Sequence, residues 1–179
     1  MPYKIVVCHN DDDYEQFVRF FMDNRAEFLH SYNVKMAVHH IIMSIKHGKI
    51  LLFCNDHDEA VGLIVYSIGT PMNNYEDREI VYMSFILARS DYRQSRLFLH
   101  GMQRMAEEIE QIGVKEIRFR ANAEDQYLRK LYGKLAKVVE RKKYDHKDEG
   151  SRLLAYYDEE IYSMDYSHFA RFVKKFVKK

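Results

Sequence analysis

Cysteine, proline and glycine are scarce in this chain of 179 residues, which contains two cysteines, two prolines and seven glycines. Two cysteines do not make a disulfide framework, so the composition fits a reducing compartment and predicts a cytoplasmic protein. So few prolines and glycines leave little room for flexible linkers, and no repeat or low-complexity segment is visible. We therefore expect one domain over residues 1–163, followed by a short helical extension over 164–179.

Long hydrophobic runs and an excess of charge of one sign are also missing. The apolar run near the N-terminus, residues 3–7, is too short for a signal peptide, and no other run is long enough to span a membrane. Lysine plus arginine number 28 and acidic residues 27, which gives a formal net charge of +1. Binding of nucleic acid through Arg118, Arg120 and the C-terminal lysines is not expected, because these basic positions do not form one run. Neither nucleic acid nor a membrane surface is therefore expected as a partner.

What the sequence does contain is an ordered series of strand and helix patterns. Strand patterns occur at residues 3–8, 49–54, 60–68, 79–88, 114–121, 138–139 and 152–157. Apolar residues at helical spacing occur around residues 17–29, 36–45, 98–112 and 128–135, and Asn122 is the expected N-cap of the last of these helices. The order predicts an α+β fold with helices on both faces of a mixed sheet.

The C-terminal segment is a basic amphipathic pattern that Asp165 or Ser167 would open as a helix. Phe169, Phe172 and Val173 begin its apolar stripe, and lysines occupy the other side. We expect the stripe to pack on the domain or on a partner subunit. In the second case the protein would be a homodimer. The lysines near the end of the helix would complement its dipole.

The segment Ile86–Phe98, with the sequence ILARSDYRQSRLF, joins an apolar strand to a helix. Helix N-termini present unpaired backbone N–H groups and a partial positive charge, which suits them to bind phosphate. Arg93 and Arg96 add two cations to this turn, and Ser95 adds a hydroxyl. The combination predicts a site for an anionic cofactor that carries a pyrophosphate.

This segment resembles the phosphate loop of the GCN5-related N-acetyltransferase (GNAT) superfamily, whose pattern is apolar-x-Val-x-Pro-x-Tyr-Arg-Gly-x-Gly-x-Gly/Ala. Tyr92 and Arg93 match the pattern, whereas Gln94, Arg96 and Phe98 stand where the family usually has glycine or another small residue. The resemblance implies an α/β/α sandwich with a mixed, mostly antiparallel sheet flanked by helices, here with an extra C-terminal helix.

The resemblance also implies a co-substrate, acetyl-CoA, and a set of residues that bind it. These are Ile86, Leu87, Ala88, Arg93, Gln94, Ser95, Arg96, Leu97, Phe98 and Asn122. By resemblance, backbone groups of the strand at 85–88 would hold the pantetheine arm, and the helix after Ser95 would hold the pyrophosphate.

A second, shorter likeness follows downstream, where Asn122 ends a strand and Leu131-Tyr132 and Leu135 match a Leu-Tyr-x-x-Leu pattern of the family. By resemblance, Tyr132 is the catalytic residue that protonates the departing thiolate. A phenol is protonated at neutral pH and can donate to a developing anion. The alternative interpretation is a core tyrosine on the apolar stripe of its helix.

No residue pattern identifies a general base. Glu79, Tyr82 and Ser84 lie on the strand that would face the acceptor, and Tyr66 lies on its neighbour, but positions on the strand surface are the simpler interpretation for each. Ordered water would serve equally well.

No metal site is expected either, because no His-x-x-x-His pair or Cys-His spacing occurs and His39 and His40 are adjacent on a helix. Cys8 and Cys54 are interpreted as small buried hydrophobes rather than nucleophiles, which favours direct attack without a covalent enzyme intermediate.

The predicted function is transfer of acetyl from acetyl-CoA to the amine of a small molecule or a peptide. Residues 22–46 and 69–77 are expected to shape the acceptor pocket, although no motif there names an acceptor. The alternative function is a catalytically silent acyl-CoA sensor or protein-interaction module on the same fold. The glycines missing from the phosphate loop motivate that alternative.

Overall fold

The computed structural model describes residues 3–28, 32–93, 96–145 and 156–177, without the side chains of residues 127, 143–145, 156–158, 176 and 177. In chain order the strands and helices are β1 (Lys4–Val7), α1 (Asp11–Asp23), α2 (Val34–His47), β2 (Gly48–Cys54), β3 (Ala60–Ile68), β4 (Ile80–Ala88), α3 (Leu97–Ile109), β5 (Glu116–Asn122), α4 (Gln126–Tyr132), β6 (Lys137–Asp145), β7 (Tyr156–Asp165) and α5 (Tyr166–Val177).

The strands form one sheet in the order β1-β2-β3-β4-β5-β7-β6. β4 and β5 are parallel, and the other neighbouring strands are antiparallel. The parallel pair is connected through α3, as such a crossover requires. The mixed sheet with helices on both faces confirms the predicted α+β fold.

The two parallel strands stay together over four residue pairs only. The pairing runs from Ile80 with Glu116 to Met83 with Phe119, and beyond it the two strands diverge. An irregularity in the β3–β4 register lies at the same point, because Val65 is opposite Phe85 while Tyr66 is opposite Met83. The middle of the sheet is therefore split, and the second half of β4 has a long edge that β5 does not cover.

Each face of the sheet carries its own hydrophobic core. On one face α1 and α2 bury aromatic and aliphatic residues, among them Phe17, Phe21 and Ile41. On the other face α3 and α5 pack together, and Phe169 and Val173 of α5 are buried in the same core as the α3 residues. Alternation in β5 divides its side chains between the faces, as the sequence pattern predicts.

One predicted helix cap is wrong. Asn122 was expected to cap α4, but it is the last residue of β5, and its side chain accepts from the backbone of Glu124. Asp125 is the N-cap of α4, because its carboxylate accepts a hydrogen bond from the backbone N–H of Leu128 at 2.9 Å. A cap must stand directly before the first helical turn, and Asn122 lies too early.

The last predicted strand is displaced. The sequence pattern favoured residues 152–157, of which residues 152–155 lie outside the described ranges, whereas β7 is Tyr156–Asp165. The sequence pattern did not predict a strand at Glu159 and Glu160, because adjacent acidic residues are typical of a solvated loop. Both side chains are buried, and arginines neutralise them: Arg120 is 3.4 Å from Glu159 and Arg141 is 2.8 Å from Glu160.

Candidate active site

The divergence of β4 from β5 opens a cavity of about 570 Å³ in the middle of the sheet. Its walls come from the second half of β4, the start of α3, the end of β5, α4 and the segment that follows α1. The lining residues are Glu27, Phe28, Tyr32, Phe53, Leu63, Ile64, Met83–Ala88, Arg93, Leu97, Phe98, Phe119, Arg120, Asn122, Asp125, Leu128, Leu131 and Tyr132. We call this space the central cavity.

Most of the residues predicted to bind a cofactor lie in the wall of this cavity, although they come from distant parts of the sequence. They are Ile86, Leu87, Ala88, Arg93, Leu97, Phe98 and Asn122, and the predicted catalytic residue Tyr132 joins them. Arg96 is exposed at the N-cap of α3 and is not part of the wall. Gln94 and Ser95 lie outside the described residues.

Arg93 is held by two contacts at the mouth of the central cavity. Its Nη2 donates to a carboxylate oxygen of Glu27 at 2.5 Å, and its Nε donates to the carbonyl of Ala88 at 3.0 Å. The neighbouring Tyr92, which matches the family pattern, is buried with the Arg89 guanidinium over its ring. Tyr92 therefore anchors the turn, while Arg93 lies where a ligand can reach it.

Tyr132 is half-buried at the end of α4, where it packs on the core and also lines the central cavity. Its ring packs edge-on against Phe119 and Tyr162, with centroid distances of 4.8 and 5.6 Å. The same side chain lines the central cavity. A tyrosine in such a place is oriented by its core contacts.

A second cavity of about 310 Å³ lies on the α2 side of the sheet, and we call it the side cavity. Its lining residues are His39, His40, Met43, Ser44, His47, Gly48, Val65, Ser67, Pro71, Met72, Tyr75, Tyr82, Ser84, Phe85, Arg120, Lys142, Glu159 and Ile161. Ser84, Phe85 and Arg120 belong to both walls. The two cavities therefore meet where β4 leaves β5.

Arg120 connects three elements at this meeting point. Its guanidinium is 3.4 Å from the buried carboxylate of Glu159 and donates to the Tyr32 hydroxyl at 3.2 Å. It also lies over the Phe85 ring, 5.6 Å from the centroid. Charge-assisted contacts of this kind are strongest where water is excluded, so Arg120 fixes the geometry between the cavities.

His40 lies on the buried side of α2, with its ring centroid 4.6 Å from that of Tyr32 and 5.3 Å from that of Phe85. Burial, the Arg120 cation and His39 disfavour the imidazolium, and Glu159 opposes them only in part. Together they lower the pKa of His40 from 6.5 to about 4. The imidazole is therefore neutral throughout the physiological range of pH.

The lowered pKa of His40 predicts a loss of stability in acid. Between pH 6.5 and 4 the unfolded chain binds a proton at His40 that the folded protein resists, so the free energy of unfolding falls as the pH falls through this window. Between pH 7 and 4.5, the free energy of unfolding of His40→Phe should fall by about 2 kcal/mol less than that of the wild type, allowing for the partial exposure of His40.

Urea titrations at both pH values measure this difference. His57→Phe, in the exposed β2–β3 turn, is the matched control and should lose stability as the wild type does. Equal pH dependence in His40→Phe and wild type would contradict the lowered pKa.

Sequence patterns missed several residues of this site. Arg120 was interpreted as one of several scattered basic positions, and surface positions were favoured for Tyr66 and Tyr82, yet both tyrosines are buried. Tyr82 and Ser84 line the side cavity, whereas Tyr66 donates to Glu108 on the α3 face. His40 had no sequence pattern that singled it out; it lies three residues after Ala37, which the structure buries.

The part of the chain that the structure describes can be compared with two other kinds of site, a metal centre and a membrane span. No group of three or more His, Cys, Asp or Glu residues there is arranged to hold a metal ion. None of the described helices is both long and apolar enough to cross a membrane.

Comparison with solved structures assigns the fold. The Escherichia coli ribosomal-protein-S18-alanine N-acetyltransferase superimposes with a TM-score of 0.65 at 12% identity, covering 92% of this chain and 94% of that one. An acetyltransferase of the GNAT family from Staphylococcus aureus gives 0.61 at 12% identity, covering 92% and 99%. The chain has the GNAT fold.

Other comparisons agree with this assignment or add nothing to it. Arabidopsis thaliana NAA60, solved in complex with a bisubstrate analogue, matches with a TM-score of 0.62 at 14% identity, covering 90% of this chain and 98% of that one. No family model and no curated protein matches the sequence. At such low identity the GNAT fold is what the likeness shows, and the chemistry has to be argued from the residues of this chain.

Proposed function

We propose that the protein is an N-acetyltransferase that uses acetyl-CoA and transfers the acetyl group by direct attack of an amine. The observation that carries the proposal is the convergence of Arg93, the start of α3, the uncovered edge of β4 and Tyr132 on one cavity. In a GNAT fold these features suit a long, anionic thioester. We place the reaction in the cytoplasm on the compositional grounds given above.

The start of α3 fits a pyrophosphate. α3 begins at Leu97, shortly after Arg93, and the backbone N–H groups of a first helical turn attract an anion. Their partial positive charge is reinforced by Arg93, whose exposed guanidinium would exchange Glu27 for phosphate oxygens. Phe98 replaces the small residue of the family pattern, and it forms part of the cavity wall.

The uncovered edge of β4 fits an extended arm. Beyond Met83, backbone groups of β4 that point towards β5 have no partner in that strand, because the register of the two strands ends there. An extended chain with amide groups would satisfy them as a neighbouring strand does. When bound, acetyl-CoA would supply the activated acetyl group as a thioester, and Tyr132 would donate a proton to the departing sulfur.

The side cavity is the proposed entry for the acceptor. It approaches the same point of β4 from the α2 face, and residues of α2 and of the segment 71–75 line it, within the ranges predicted from the sequence. A volume of about 310 Å³ suits a small amine or the terminal residue of a peptide rather than a folded surface. Correct placement of two bound reactants supplies much of the rate acceleration in such a transfer.

Binding of acetyl-CoA is the first test. At a concentration 100 times its dissociation constant, a ligand that binds only the folded state adds about 2.7 kcal/mol of stability. For a chain of this size we expect the melting temperature to rise by about 5–10 °C. Thermal melts with acetyl-CoA, and with acetylcarnitine as a thioester-free and phosphate-free control, measure the shift.

Two variants at Phe98 distinguish a phosphate site from non-specific stabilisation. Phe98→Asp and Phe98→Asn lose the same ring, but only aspartate places an anion at the start of α3. Without ligand, the Asp variant should be more stable than the Asn variant, because its charge interacts favourably with the helix dipole. Its dissociation constant for acetyl-CoA should nevertheless be at least tenfold higher than that of the Asn variant. Equal affinities of the two variants would contradict a phosphate at this helix.

Release of free thiol in the presence of a panel of amines separates the enzyme from the silent sensor. Steady thiol release that depends on an amine supports the transferase. Binding of acetyl-CoA without thiol release would favour the sensor, and the absence of any thermal shift would leave a protein-interaction module.

A further inference from the structure

The imidazole of His40 borders the passage between the two cavities. It stands on the stripe of α2 that faces the sheet, with Ala37, Ile41 and Ser44, so its ring is directed inwards. There it packs against Phe85, which belongs to the walls of both cavities. His40 therefore lies in the wall of the side cavity, next to a residue that this cavity shares with the central cavity.

The ring nitrogens of His40 make no hydrogen bond to other residues that the structure describes, and so they are available to a ligand. Several of the neighbouring polar groups are engaged or unsuited to take up a proton. Arg120 and Glu159 form an ion pair, and burial raises the pKa of the Tyr82 hydroxyl, which keeps it protonated. The Ser84 hydroxyl is a very weak base.

The charges around His40 come from every element packed against it. On the chain around α2, Tyr32 stands before the helix and His39 is adjacent to His40. From the sheet, His40 is approached by Tyr82 of β4, Arg120 of β5 and Glu159 of β7. The Arg120 cation outweighs Glu159 in its effect on the imidazole, and burial raises the pKa of both phenols, which keeps them neutral. The surroundings therefore keep an uncharged imidazole with a free lone pair in the passage.

We propose that His40 accepts the proton that the acceptor amine loses during the acetyl transfer proposed above, on which this assignment rests. The bond that forms joins the amine nitrogen to the acetyl carbon, and the bond that breaks is the carbon–sulfur bond. The electron pair of that bond leaves with sulfur, which takes a proton from Tyr132. The proton of the attacking nitrogen passes to His40 and then to water in the open side cavity, and Tyr132 regains a proton from water before the next turnover.

This base acts on the nitrogen once the bond to carbon is forming, not on a free ammonium ion. Attack makes the nitrogen strongly acidic, so an imidazole that is a weak base still accepts its proton. The amine itself must arrive uncharged. The rate should therefore follow the titration of the amine, and no inflection from a histidine should occur near pH 6.5.

Kinetics of His40→Phe and His40→Ala test the assignment. His40→Phe keeps a ring against Tyr32 and Phe85, so we expect a melting temperature and an acetyl-CoA shift like those of the wild type, with kcat about 100-fold lower. Added imidazole should restore a large part of the activity of His40→Ala, in proportion to its neutral form. His57→Phe is the control and should keep the wild-type kcat.

Nitrogen NMR of the imidazole rings adds a measurement that needs no turnover. The signal that is lost in His40→Phe should report a neutral ring at pH 5.5. A kcat of His40→Phe within twofold of the wild type, no rescue by imidazole, or a protonated ring at pH 5.5 would overturn the role of His40. Absence of amine-dependent thiol release from the wild type would instead overturn the proposed transferase itself.

Discussion

Replacing Tyr132 by phenylalanine should lower kcat about 100-fold and leave the KM for acetyl-CoA almost unchanged. The substitution removes one oxygen and keeps the ring that packs on Phe119 and Tyr162. A proton donor acts on the developing thiolate and contributes little to the bound ground state, so its loss affects the chemical step. Steady-state thiol release with an active amine measures both constants.

Tyr166→Phe is the matched control for this effect. Tyr166 is a half-buried tyrosine at the start of α5, and its hydroxyl donates to the carbonyl of Ala106 at 3.3 Å, away from both cavities. Its loss should cost about 1 kcal/mol of stability and leave kcat unchanged. If Tyr132→Phe keeps the wild-type kcat, the proton reaches sulfur from another source.

Replacing Arg120 by methionine should lower the free energy of unfolding by about 3–5 kcal/mol, because a buried carboxylate loses its cation. Glu159 is 1% exposed and lies 3.4 Å from the guanidinium. The variant also loses the hydrogen bond to Tyr32 and the contact over Phe85. Urea unfolding at neutral pH measures the loss, and a loss below about 1 kcal/mol would contradict it.

Two further variants separate the buried charge from lost packing. Arg118→Met removes an arginine from the same strand and face, but its partner Glu116 is partly exposed, so we expect a loss below about 1 kcal/mol. The double variant Arg120→Met/Glu159→Met removes both charges and should recover most of the stability lost in Arg120→Met, since an apolar pair of similar volume replaces the ion pair.

Periodicity in the sequence predicted the elements that bury one regular face. β5 shows this best, because Ile117, Phe119 and Ala121 alternate with arginines, and the structure buries these three residues. The helices α2 and α3 and the strands β2 and β3 were likewise located from their patterns. The same method failed at β7, because its two buried glutamates are paired with distant arginines and their sequence pattern is that of a solvated loop.

The candidate site was predictable only where one segment carries several of its residues. The strand–turn–helix around Arg93 and the Leu-Tyr pair at Tyr132 could be recognised locally, and the fold brings them to one cavity. The neutral state of His40 depends on Arg120 and Glu159, which are 80 or more residues away in the chain. No local pattern encodes that dependence, because it arises from the packing of α2 on the sheet.

The position of β7 has a consequence for the synthesis of the protein. β7 lies between β5 and β6, although β6 precedes it in the chain. While the chain emerges from the ribosome, β5 keeps an open edge and β6 has no place in the sheet until β7 has been made. α5 follows and completes the core beside α3. The nascent chain therefore exposes unpaired strand edges until β7 has been made, and such edges are prone to aggregate.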